Sequence, residues 1–141
     1  MMKIVPYVVV PNAKKAITGY EKIFGATVVS HMPFTPEMGS QMGLSEDFDY
    51  DNSTMHAEFD IGGSRIYISD NTRAEEYKTP GVVEILLELD SKEEIEKIYN
   101  NAKENGLTIS NELEKTFWGA FYARFVDLDG IGWQLNYQIP E

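Results

Sequence analysis

His56 and Glu58 stand two residues apart in the alternating run Met55-His56-Ala57-Glu58-Phe59-Asp60-Ile61. In an extended strand this spacing puts both side chains on one face, about 7 Å apart along the backbone, close enough to hold one ligand or one water. An imidazole beside a carboxylate could serve as a general base. The same two groups could equally make an ordinary polar contact or hydrogen-bond the polar segment that precedes them. Arg124 is the only basic residue in Phe121-Tyr122-Ala123-Arg124-Phe125-Val126, so its charge must be paired or used. Pairing with Glu58 or Glu84 gives an internal salt bridge; left open, the guanidinium fork suits a carboxylate or phosphonate group of a ligand.

Weaker patterns surround these residues. Asp47-Phe48-Asp49-Tyr50-Asp51 followed by Glu58 copies the spacing of a calcium loop, but Asn52 replaces the turn glycine and Glu58 falls inside a strand, so calcium is not expected. Met32, Met38, Met42 and Met55 could adapt to an apolar ligand or simply pack on the core. His31 falls near a strand end and reads as a surface or edge residue. Phe117 and Trp118 precede the Arg124 strand and could wall a pocket, form a dimer contact or join the core.

The elements that must hold these groups in place occur twice. Lys3 to Val10 reads as a strand, and Asn12 caps a helix whose stripe is Ala13, Ala16, Ile17, Tyr20, Ile23 and Phe24, closed by Gly25. Ala26 to Met32 is the next strand, the polar segment Pro33 to Asn52 reads as a long loop, and Met55 to Ile61 turns at Gly62-Gly63 into Arg65 to Ser69. After a connector over Asn71 to Gly81 the order repeats. Val82 to Leu89 is a strand, and Ser91 caps a helix with Ile95, Ile98, Tyr99 and Ala102 buried and Asn105-Gly106 at its end. Leu107 to Ser110, Phe117 to Val126 and Gly132 to Gln138 are strands, the last two joined at Asp127-Leu128-Asp129-Gly130. Two copies of one small unit, about 1–75 and 80–141, are expected to share a single domain over 1–141 and to enclose a cleft. Strand parity gathers Tyr7, His56, Glu58, Tyr67, Glu84, Tyr122, Arg124, Gln134 and Asn136 on the polar, helix-averted side as the ligand-contacting set.

Composition narrows the function classes. With 23 acidic against 12 basic residues the formal charge is −11, which repels phosphate backbones and anionic membranes and favours, if anything, a cationic small molecule. No nucleic-acid or membrane partner is expected, since no apolar stretch approaches the length that spans a bilayer. The absence of cysteine removes disulfides, thiolate metal sites and cysteine nucleophiles and fits a cytosolic protein.

Four stretches together resemble the vicinal oxygen chelate superfamily of glyoxalase I, fosfomycin-resistance proteins, bleomycin-binding proteins and extradiol dioxygenases, with the PhnB-like branch nearest. They are Pro6-Tyr7 with Tyr20 to Gly25, Met55 to Gly63, Thr116-Phe117-Trp118-Gly119, and Asp127 to Asn136. The resemblance implies an α+β fold of two βαβββ modules, curved mixed or antiparallel sheets with helices outside, a cup for the ligand between paired modules, and a homodimer. It also implies metal-ligand positions near Val5, near Tyr67, at Glu84 and at Asn136. Of these only Glu84 is a good ligand, because valine offers no donor and an amide oxygen is a weak one. No cofactor is therefore expected; a divalent metal, if one binds, would fall to His56, Glu58 and Glu84. Trp118 joins the parity set as a ligand wall. Two functions stay open: a small-molecule-binding protein that sequesters a toxic or cationic compound, or a lyase, isomerase or dioxygenase-like enzyme, metal-dependent or using His56 and Glu58 as an acid–base pair.

Overall fold

Each of the chain's two sheets hides one face and leaves the other to its polar side chains, and this follows from the alternation in its strands. The computed structural model describes residues 2–72 and 83–141. It falls into two compact units, one of residues 1–21 and 25–77, the other of residues 22–24 and 78–141. Most of the connector, with Pro80, Gly81 and Val82, lies outside the described residues.

The first unit contains β1 (Tyr7–Val10), α1 (Ala13–Phe24), β2 (Thr27–Met32), α2 (Pro36–Met42), β3 (His56–Ile61) and β4 (Ser64–Asp70). Its sheet runs β1-β4-β3-β2, with β1 parallel to β4 and the other pairs antiparallel. Asn12 caps α1 by accepting the Lys15 N–H at 3.1 Å, and Gly25 ends it in the left-handed region at φ 70°, as the sequence leads one to expect. Along β1, β3 and β4 the buried residues are Val8, Val10, Ala57, Phe59, Ile61, Ile66 and Ile68. Tyr20 of α1 stacks on Phe59 with ring centroids 5.5 Å apart, which fixes the helix to the buried face. Gly62 and Gly63 both have positive φ, the requirement of the two-residue hairpin between β3 and β4.

The segment over Pro33 to Asn52 is not the structureless loop that its polarity suggests. It holds α2, whose start follows a clear rule: Thr35 caps it by accepting the Met38 N–H, and Pro36 takes the first helical position. A short 3₁₀ turn follows at Tyr50–Asn52. Gly39 of α2 is buried because the Tyr50 phenol occupies the place a Cβ would need.

In the second unit β5 (Ile85–Glu88), α3 (Lys92–Glu104), β6 (Thr108–Lys115), β7 (Ala120–Val126) and β8 (Gly132–Gln138) repeat the same arrangement in the order β5-β8-β7-β6. The two βαβββ modules and their outward helices make the α+β fold that the sequence implies. Ser91 caps α3 at the Glu94 N–H, and Ile95, Ile98, Tyr99 and Ala102 form its buried stripe. Strand boundaries differ from the sequence reading at several places, and in the first unit β1 starts at Tyr7 rather than Lys3. The third strand from the end runs to Lys115 rather than Ser110, and Thr116 to Gly119 form the hairpin turn, so β7 starts at Ala120 instead of Phe117. The Thr116 hydroxyl accepts the Ala120 N–H at 3.1 Å and Gly119 has φ 84°, a local hydroxyl-and-glycine turn that hydrophobic pattern alone does not mark.

Asp127 is a carboxylate buried in the second core. Its oxygens accept the N–H groups of Asp129 and Ile131 at 2.9 and 3.0 Å and the indole N–H of the fully buried Trp133 at 2.9 Å. Asp127→Ala removes all three hydrogen bonds at once and should lower unfolding free energy by about 2–4 kcal/mol in urea titrations followed by tryptophan fluorescence. A loss within measurement error would show that the turn holds without its carboxylate.

Candidate functional site

The helix-averted face of the first sheet carries a connected polar cluster. Tyr7 on β1 and Tyr67 on β4 are register partners, and their rings meet edge to face at 6.0 Å. His56 of β3 reaches both: its Nδ1 lies 3.1 Å from the Tyr7 hydroxyl, and its ring meets Tyr67 at 4.9 Å. The other ring nitrogen, Nε2, is 3.3 Å from Glu58 Oε2. Glu58 Oε1 accepts from Arg65 Nη1 at 2.9 Å, and Arg65 Nε donates to Asp60 at 2.5 Å. The four residues that parity assigns to this sheet, Tyr7, His56, Glu58 and Tyr67, are thus in mutual contact. Tyr7 is half-exposed; His56 and Glu58 keep about a quarter of their side-chain surface in solvent (28% and 24%).

Arg65 and Asp60 belong to the cluster although the sequence reading did not single them out. The signal was present, since Arg65 precedes Tyr67 by two on β4 and Asp60 is its register partner on β3. The hydrogen bond from Arg65 holds the Asp60 carboxyl below the usual range, and Arg65 itself is pushed upward by Asp60 and then by Glu58.

The second sheet carries a separate cluster. Arg124 of β7 grips Glu84 with two nitrogens, Nε at 2.9 Å from Oε1 and Nη2 against Oε2, while its Nη1 donates to the Ser110 hydroxyl at 2.6 Å. Gln134 donates to Glu84 at 3.0 Å, and its own carbonyl accepts from the Tyr122 hydroxyl at 2.8 Å. Trp118 at the hairpin turn packs edge-on to Tyr122 at 6.1 Å. Asn136 stands apart from this group, its amide on Glu88 at 3.1 and 3.2 Å. Of the two readings of Arg124, the internal salt bridge is the one observed. Gly132 is part of it: a Cβ there would run into the Glu84 carboxylate. The bond from Arg124 holds Glu84 below the normal carboxylate range against the opposing effect of burial, and Gln134 adds to the lowering. Burial, then the negative charge of Glu84, raises Tyr122.

The donor set does not fit a divalent metal. Val5 has no ligating atom, Tyr67 packs on His56, Glu84 is bound by Arg124, and the Asn136 amide is turned to Glu88. Among the described residues no three His, Asp or Glu side chains gather at metal-binding distances. His31, read as an edge residue, bonds the buried Thr54 hydroxyl through Nε2 at 2.8 Å, and burial followed by Lys14 lowers its pKa.

The sequence matches the Glyoxalase family, described as the Glyoxalase/Bleomycin resistance protein/Dioxygenase superfamily, over residues 3–135. Protein PA1353 from Pseudomonas aeruginosa has a similar structure, with TM-score 0.77 and 30% identity, covering 99% of this chain and 100% of that one. A PhnB protein from Bacillus cereus is similar at TM-score 0.74 and 17% identity, over 96% and 99% of the two chains. The fosfomycin resistance protein FosX from Listeria monocytogenes follows at TM-score 0.68 and 15% identity, over 97% and 93%. No curated protein matches the sequence.

Arg124→Met should strand Glu84 without its cation and cost about 1–3 kcal/mol of stability at pH 7. A carboxyl whose pKa is lowered on folding contributes above its unfolded pKa and loses that contribution as pH falls through the folded one. The difference between wild type and Arg124→Met in denaturant midpoints should therefore shrink on acidification below the ordinary carboxylate range. Gly132→Ala, which displaces the Glu84 carboxylate, should reproduce part of the same loss; a difference independent of pH would assign the effect to packing instead.

Proposed function

The chain belongs to the Glyoxalase/Bleomycin resistance protein/Dioxygenase superfamily, and we propose that it is a small-molecule-binding member of the PhnB-like kind that sequesters a cationic, aromatic compound without a metal. The observation that carries this reading is the cluster on the first sheet, where two tyrosines and a histidine present ring edges and a hydroxyl to solvent beside Glu58 and Asp60, with Arg65 hydrogen-bonded to both carboxylates and the charge of Lys3 acting on Asp60. Such a face sets carboxylate oxygens next to aromatic surface, the combination that attracts and desolvates an organic cation. The second sheet supports the same sign of ligand: Arg124 is neutralised by Glu84, while Glu88 adds a further carboxylate. Charged groups that are spent on each other wall a site and set its potential rather than gather around a metal.

We place the protein in the cytosol, a reading supported by the lack of cysteine and by the −11 formal charge that keeps it from anionic surfaces, and carry over the homodimer that the family resemblance implies. Among the described residues no helix is long and apolar enough to cross a membrane. The contact between His56 and Glu58 also favours a second reading, acid–base turnover of the bound compound by lyase or isomerase chemistry.

Titration with a panel of cationic aromatic compounds, read by tyrosine and tryptophan fluorescence and by mass spectrometry of the recovered ligand, separates these readings. Sequestration predicts stoichiometric binding, ligand recovered unchanged, no requirement for added divalent metal, and at least about tenfold weaker binding for Tyr67→Ala and for Glu58→Gln. Conversion of the ligand would establish the second reading. Binding that survives both substitutions unchanged would remove the first sheet from the site.

A further inference from the structure

We propose that the hydroxyl of Tyr7 is a dedicated hydrogen-bond acceptor for the ligand, its polarity fixed by the chain Arg65–Glu58–His56–Tyr7, so that the site selects cations bearing N–H groups over quaternary ones. The inference rests on the cation-binding reading above and narrows it to a ligand class.

The argument is a count of protons along four side chains. Arg65 donates through Nη1 to Glu58 Oε1, so Glu58 is held as a carboxylate and has no proton of its own to give. The bond between Glu58 Oε2 and His56 Nε2 must therefore use a proton on the imidazole. A neutral imidazole carries one proton; with it on Nε2, Nδ1 is an acceptor. The Tyr7 hydroxyl, 3.1 Å from Nδ1, must then point its proton at the ring. What remains on the hydroxyl oxygen of the half-exposed Tyr7, whose ring meets that of Tyr67, is lone-pair density. A tyrosine free in solvent can turn its hydroxyl to suit either kind of partner. Here it cannot, and it meets only donors. A protonated amine satisfies both its charge and its N–H groups on this face; a trimethylammonium satisfies only its charge.

The groups around His56 are accounted for in this scheme: Tyr7 from β1, Glu58 on its own strand, Tyr67 and, through Glu58, Arg65 from β4, with the uncharged Met32 as its register partner on β2. The Tyr7 oxygen is the group among these that could accept from Nδ1, and the charged carboxylate at Nε2 is the stronger acceptor of the two.

Two measurements on the whole chain test this. Long-range ¹H–¹⁵N spectra at pH 8, where an imidazole is neutral, read the tautomer of His56 directly, with His31→Gln assigning the other histidine. The expected state is Nε2–H with an unprotonated Nδ1; an Nδ1–H tautomer overturns the proposal whatever the protein binds. Benzylammonium and benzyltrimethylammonium are then titrated while Tyr7 ring signals are followed. Benzylammonium should bind about tenfold tighter, and Tyr7→Phe, which keeps the ring, should erase that preference. Equal binding of both cations, or a preference that survives Tyr7→Phe, overturns the acceptor role and leaves the cation-binding reading standing. Neither cation moving the Tyr7 signals overturns both.

Discussion

A strand that turns one side to a helix turns its other side to whatever is left, and this constraint governs everything on the polar faces of the two sheets. Once Val8, Phe59, Ile66 and Ile68 face the core, Tyr7, His56, Glu58, Arg65 and Tyr67 have no choice but to meet one another on the far side. The same holds where Phe125, Trp133 and Leu135 are buried and Tyr122, Arg124 and Gln134 are left together. Neither cluster needs any device beyond the pairing registers of its sheet. The chemistry of each face is therefore a by-product of core packing, refined by which polar residue stands at each alternate position.

The two faces have resolved their charges differently. On the second sheet one guanidinium and one carboxylate close on each other, and Gly132 is small so that they can. On the first sheet Arg65 is shared by Glu58 and Asp60, so one guanidinium is spread over two carboxylates beside the aromatic rings. A closed pair stiffens a face, whereas a shared one leaves it with a potential. This difference is why the first sheet, rather than the second, carries the functional reading.

Much of this was legible in the residues, for identifiable reasons. The repeated order of elements, the caps at Asn12 and Ser91 and the Gly62-Gly63 hairpin are all local signals, and the structure contains each of them. Parity put Tyr7, His56, Glu84 and Arg124 on the polar side, and the need to pair Arg124 left Glu58 or Glu84 as its carboxylate, of which the structure has Glu84. Three features were not readable. The helix α2 hides in a polar segment because its start depends on Thr35 and Pro36 and not on an apolar stripe. The turn at Thr116–Gly119 interrupts what looks like one long strand, because a hydroxyl-to-backbone bond leaves no mark in hydrophobicity. Arg65 was passed over because its role comes from cross-strand neighbours, which exist only once β3 and β4 are in register.

That register has a bearing on how the protein comes into being on the ribosome. In each unit the first strand lies at a sheet edge and hydrogen-bonds only to the last: β1 to β4, and β5 to β8. Tyr7 emerges some sixty residues ahead of its partner, so its strand stays unpaired until synthesis has passed Asp70. For that interval an apolar run from Val8 to Val10 must wait unpaired, the kind of exposed edge that invites wrong partners. Pairing the ends of a module across some sixty residues is a late, entropically costly step that completes the sheet at a stroke. Within a module, order of synthesis and order of assembly thus run in opposite directions: its first strand is among the last of its strands to find its place.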